Sequence, residues 1–107
     1  MRFLLIALTL TACSCSADPI MPDAQRQIDA IKADYVAAFF AEEAYEARPT
    51  CPATTPCADP ALADNAMRAN YNAAALIVTA DEERTAAAMA KAKRATKEFL
   101  AAVAELR

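Results

Sequence analysis

The 107-residue chain contains no glycine, no histidine and no tryptophan. Each absence removes a class of function. Without glycine, phosphate-cradling loops and tight hairpin turns lose the residue that reaches positive φ without steric cost. Without histidine, the commonest general base and the commonest metal ligand are missing. Aromatic residues make up only 7% of the chain, and much of the 57% apolar content is alanine, which favours helix but adds little core volume. Positive charge is also in the minority, with 11 basic against 14 acidic residues. That balance argues against a nucleic-acid partner, which selects for a basic surface. The sequence therefore predicts no enzyme, no cofactor and no metal site. At this length it allows one small domain, and small domains often need a covalent staple.

What the chain does have is proline, concentrated in one place. Arg48-Pro49-Thr50-Cys51-Pro52-Ala53-Thr54-Thr55-Pro56-Cys57-Ala58-Asp59-Pro60 is the only proline-dense stretch between long alanine-rich runs. Proline cannot continue a helix and drives the preceding residue out of the helical region, so this stretch stops one helix and holds a loop open. Asp59-Pro60 reads as an N-cap followed by a first-turn proline that starts the next helix.

The N-terminus carries an address. Met1-Arg2 supplies a short positive region, and residues 3–10 form an apolar run far too short to span a bilayer. The pattern is that of an export signal, excluded from the fold. Leu10-Thr11-Ala12-Cys13 resembles the bacterial lipobox. That resemblance implies a lipoprotein signal peptide over residues 1–12, with Cys13 as the first mature residue, carrying a thioether-linked diacylglycerol and an amide-linked acyl chain. Several chains make a durable anchor where one is marginal. Ser14 after the lipidated cysteine implies the outer membrane in the enterobacterial sorting pattern; retention at the inner membrane is the alternative, and a secretory signal cut after Ala17 is a second. In each case the chain leaves the cytoplasm. Loss of the leader removes Arg2, leaving 10 basic against 14 acidic residues and a net charge near −4. Residues 13–22, with Asp18-Pro19 and Met21-Pro22, read as a lipidated tether. Cys15 has no evident role.

The remainder, residues 23–107, is expected to be helical. Ala24, Ile28, Ile31, Tyr35, Ala38, Phe39 and Tyr45 recur at three- and four-residue spacing over about 23–47, with Val36 and Phe40 widening the apolar arc towards two neighbours. Over about 60–78, Leu62, Ala66, Ala69, Ala73 and Leu76/Ile77 form one stripe, and Met67, Tyr71, Ala74 and Val78 a second. Thr79 with Glu82 fits a capping box, so a third helix is expected over about 81–106, with Met89, Ala92, Thr96, Phe99, Leu100, Val103 and Leu106 as its apolar face. A continuous helix from Pro60 to the end would be about 70 Å long and leave its far half unpacked. The fold expected is an all-α, antiparallel three-helix bundle, up-down-up, with a long helical hairpin as the alternative. It brings Glu42, Glu43 and Glu46 towards Lys97, and residues 81–83 towards Arg26 and Lys32.

In an oxidising periplasm, Cys51 and Cys57 bracketing the proline loop are expected to form a structural disulfide. The five-residue spacing and the lack of a helix start after Cys51 weigh against redox catalysis, and zinc would need two further ligands. Glu42-Glu43 and Asp81-Glu82-Glu83 are the carboxylate clusters, and both are expected in solvent near helix ends. Tyr35, Phe39, Phe40, Tyr45 and Tyr71 are expected as core, with a ligand groove as the sharper alternative. The basic side of the third helix (Arg84, Lys91, Lys93, Arg94, Lys97) is expected to keep that helix soluble, with contact to anionic lipid or an acidic partner as the alternative.

Together the lipobox, Glu43-Ala44-Tyr45, Arg48-Pro49-x-Cys51, Cys57-Ala58-Asp59-Pro60 and Asn70-Tyr71-Asn72-Ala73-Ala74 resemble the small helical lipoproteins encoded by phages and prophages of alphaproteobacteria. The resemblance implies a lysis or surface accessory without mapped chemistry. The function expected is a non-enzymatic, lipid-anchored periplasmic module that acts through an unidentified protein partner at the membrane. A periplasmic binder of a small apolar ligand or cell-wall fragment is the alternative.

Overall fold

A computed structural model describes residues 19–52 and 56–106. Cys13, Cys15 and the expected signal peptide over residues 1–12 lie outside them. Three helices pack against one another: α1, Ala24–Glu46; α2, Pro60–Glu83; and α3, Ala86–Ala104. No strand occurs among the described residues; only the isolated bridges Ile20–Thr85 and Thr50–Ala58 do.

α1 begins one residue past Asp23, whose carboxylate accepts from the Gln27 side chain. α2 begins as its sequence dictates. Asp59 accepts from the Ala61 N–H at 2.9 Å, and Pro60 occupies the first turn.

The second boundary differs from the expectation. α2 runs on through Thr79 to Glu83, and no capping box forms at Thr79. The Thr79 hydroxyl instead donates back to the Ala75 carbonyl at 3.2 Å, inside the helix. The extra turn buries Ala80 beside Ile77 in the core formed with Ile28, Met89 and Ala92, and it brings Asp81 to Lys32 at 3.1 Å. Burial and an ion pair thus outweigh a local start signal. The break falls at Arg84, in the left-handed region with φ 56° and ψ 30°. Thr85 then caps α3, its hydroxyl accepting from the Ala88 N–H. The single hairpin helix is thereby excluded.

Direction follows from the contacts. Ile28 and Ile31 meet Ile77, Ala80 and Met89 at one end of the bundle. Ala38 meets Ala73, Ala95 and Phe99 further along. α1 and α3 are therefore parallel and α2 antiparallel to both, up-down-up. Of the sixteen buried apolar residues among those described, ten are alanine, so the helices approach closely, and Ile28, Met89 and Phe99 are the largest side chains sealed inside.

Candidate functional site

The proline loop is closed by a disulfide between Cys51 and Cys57, whose Cα atoms lie 5.0 Å apart. Backbone bonds brace it: Cys51 N–H to Ala58 O at 2.9 Å, and Ala58 N–H to Pro49 O at 2.7 Å. The buried Tyr45 hydroxyl accepts from the Asp59 N–H at 2.7 Å, tying the start of α2 to the end of α1. The Arg48 guanidinium lies 4.9 Å from the Tyr45 ring centre. Both sulfurs are engaged with each other, as the staple reading requires.

The carboxylate clusters part company. At the α2 end, Asp81 takes hydrogen bonds from Lys32 and Arg84, and these, with Lys32 foremost, hold its carboxyl below the ordinary aspartate range. Glu82 and Glu83 stay exposed. On α1 the solvent expectation holds for Glu43 and fails for Glu42, which is only 3% exposed. Its Oε1 accepts from Asn70 Nδ2 at 2.7 Å, while Oε2 is buried without a partner among the described residues. Asn70 Oδ1 in turn accepts from the Tyr35 hydroxyl. Burial raises the Glu42 carboxyl above its ordinary value, Asn70 opposes that shift, and Glu46 and Glu43 add to it. Burial first, then the Glu42 charge, raises Tyr35 as well. The expected approach of residues 42, 43 and 46 to Lys97 yields no ion pair among the described residues.

Neither Glu42 nor Asn70 was marked as core by its chemistry. Their register marks both. Glu42 stands four residues after Ala38 and three before Tyr45, and Asn70 four after Ala66 and three before Ala73, all four of these neighbours buried.

The aromatic set also divides. Tyr45 is buried, Tyr35 and Phe39 are half-buried, and Tyr35 packs against Phe99 with ring centres 5.5 Å apart. Phe40 and Tyr71, however, are 64% and 67% exposed, and Val36 and Val78 are 45% and 57% exposed. The widened arc expected on α1 and the second stripe on α2 are thus largely in solvent. Register places them together. Lys32 and Asp81 join across the α1–α2 seam; from there Val36 and Phe40 follow at four-residue steps on α1, and Val78, Ala74 and Tyr71 run alongside on α2. Val36, Phe40, Tyr71 and Val78 thus lie on the outer side of the α1–α2 pair, with the exposed Glu43 among them.

Comparisons with protein-family models, curated proteins and solved structures find no match. Chemistry must be read from the geometry alone. Two open clefts of about 190 and 180 Å³ flank α2 and α3, the first lined by Asn72, Leu76, Lys91, Arg94, Ala95 and Glu98. Small-molecule sites are larger, at about 300–1,000 Å³, and mostly apolar. Among the described residues no group of three or more acidic or cysteine side chains is placed to hold a metal ion, and no helix is long and apolar enough to cross a membrane.

Proposed function

We propose that this chain is a non-enzymatic helical module, held by lipid on Cys13 at the periplasmic face of the outer membrane, that works through protein contacts. The observation that carries the reading is the exposure of four large apolar side chains on α1 and α2: Val36, Phe40, Tyr71 and Val78. Large apolar side chains are left in water while a glutamate and an asparagine occupy the interior, and grouped exposed apolar residues mark interaction surfaces. Aromatic residues are enriched at such contacts. The small, polar-lined clefts rank the alternative, a binder of a small apolar ligand or cell-wall fragment, below this one. The sequence resemblance to phage and prophage lipoproteins extends the proposal to an accessory of lysis or surface modification.

Site-specific photo-cross-linking in intact cell envelopes tests it. A benzophenone amino acid at Phe40 or Tyr71 is expected to give one discrete adduct, absent from the Cys13→Ser chain and absent with the probe at Asn65, away from the seam. Adducts that form equally from Asn65, or without Cys13, would overturn it.

A further inference from the structure

We infer that the outward face of α3 is an electrostatic docking surface for the anionic phospholipid headgroups of the membrane that holds the chain. This inference rests on the lipid-anchor reading and adds an orientation to it.

Charge is segregated by helix. α3 carries Lys91, Lys93, Arg94 and Lys97 against Glu98 alone, a net +3. α1 carries Arg26 and Lys32 against Asp29, Asp34, Glu42, Glu43 and Glu46, and α2 carries Arg68 against Asp64, Asp81, Glu82 and Glu83, each a net −3. The four cations of α3 are all exposed. The ion pairs among the described residues, Lys32–Asp81, Arg68–Asp64 and Arg84–Asp81, use none of them. Arg94 and Lys97 lie opposite the buried stripe of α3, while Lys93 and Lys91 stand on its two flanks, Lys91 beside the clefts shared with α2. An acidic protein therefore presents an outward strip of positive charge that no carboxylate among the described residues pairs.

Two further observations select lipid as the occupant. The outward face of α3 is floored by exposed alanines, Ala87, Ala90 and Ala101; its one exposed large apolar side chain, Leu100 at 37%, sits at the flank, and no aromatic residue is exposed there. A protein interface wants a large apolar anchor at its centre, whereas attraction to an anionic bilayer needs only basic side chains near the surface. The path of the chain then fits. Ile20 bridges to Thr85, and the Met21 N–H donates to the Arg84 carbonyl at 2.9 Å, so the segment leading back to Cys13 leaves the domain at the start of α3. Residues 13–19 can span at most about 25 Å, and the 19 residues of α3 extend about 28 Å. A domain held there can lay α3 along the bilayer. That pose turns the acidic outer faces of α1 and α2, with the exposed Phe40 and Tyr71, away from the lipid.

The test uses the lysines as they stand. The chain has four, Lys32 on α1 and Lys91, Lys93 and Lys97 on α3. The full acylated chain is reconstituted on vesicles of phosphatidylcholine alone and of phosphatidylcholine with phosphatidylglycerol, floated, and acetylated briefly. Mass spectrometry reads each lysine. On the anionic vesicles Lys97 is expected to react several-fold more slowly than on the neutral ones, the flanking Lys91 and Lys93 to be slowed less, and Lys32 to be unchanged. The protection should vanish at about 1 M salt, where charges are screened within about 3 Å, and the variant Arg94→Glu/Lys97→Glu should lack it at Lys91 and Lys93. Equal rates on both vesicle types sink the docking face and leave the anchor standing. Protection on neutral vesicles that grows with protein density assigns the face to a second copy and overturns the inference. A chain that floats only with anionic vesicles keeps the face and removes the anchor; one that floats with neither removes both.

Discussion

At Glu42 one carboxylate oxygen is hydrogen-bonded to Asn70 and the other has no partner among the described residues. A buried charge is costly unless it is paired, so the proton is held more tightly in the folded chain than in the unfolded one, and the carboxyl is raised. The sign follows. Stability from this group is fully present below the ordinary glutamate pKa of about 4.3 and is lost as the pH rises through the raised value. Glu42→Gln keeps an acceptor for Asn70 and removes the charge. It is expected to unfold at higher urea than the wild type at pH 7, with the difference closing as the pH falls towards about 4. A variant that is less stable at pH 7 would show that the carboxylate is compensated by contacts other than Asn70. Asp81 has the opposite sign, because its lowered carboxyl supports the fold above the ordinary aspartate value and loses that support in acid. It is solvent-facing and its pair with Lys32 is partly exposed, so its share is small.

The turn between α2 and α3 is the element whose geometry a glycine-free chain has to make some other way. Arg84 takes the left-handed conformation that costs an L-residue about 1–2 kcal/mol. It is held there from several sides: its N–H bonds Ala80 O, its carbonyl accepts from Met21, and its guanidinium reaches Asp81 and Gln25. Arg84→Ala and Arg84→Gly both lose the side-chain bonds, yet only glycine is relieved of the Cβ. The glycine variant is expected to be the more stable of the two by about 1 kcal/mol in denaturant unfolding. Equal midpoints would mean that the turn changes conformation once the guanidinium is gone. The acidic residues 81–83 belong to this same element. They lie at the negative end of α2, where the helix dipole disfavours them, and Lys32 and Arg84 offset that at Asp81.

At the scale of the bundle, stability rests on few large side chains, because ten of the sixteen buried apolar residues among those described are alanine. Phe99 is fully buried among Ala38, Ala73 and Ala95 and meets Tyr35 at a tilted angle, so it touches all three helices. Its fully buried neighbours are alanines, which cannot extend into a void, although Tyr35, Phe39, Leu76 and Val103 border the cluster. Phe99→Ala is expected to cost about 3–5 kcal/mol, a large share of the about 5–15 kcal/mol that holds a domain together. The check is the urea midpoint at unchanged slope. A loss under about 1 kcal/mol would place the core's weight elsewhere. The disulfide acts at the same scale by shortening the unfolded chain's freedom, worth about 2 kcal/mol for so short a loop.

Local chemistry by itself determined the helical class, the proline loop with its two sulfurs, the Asp59-Pro60 start of α2 and the main stripes of α1 and α3, because proline geometry, capping and three-to-four spacing act within a few residues. Only the tertiary structure decided the rest. Whether Thr79 or Arg84 ends α2 depended on Ile77 and Ala80 finding Ile28 and Met89, and on Asp81 finding Lys32. Whether Glu42 and Asn70 went inside, and Phe40 and Tyr71 outside, depended on where neighbouring helices closed over each face. An amphipathic pattern fixes which residues share a side; how much of that side is covered is set by partners distant in the chain, and no local window contains them.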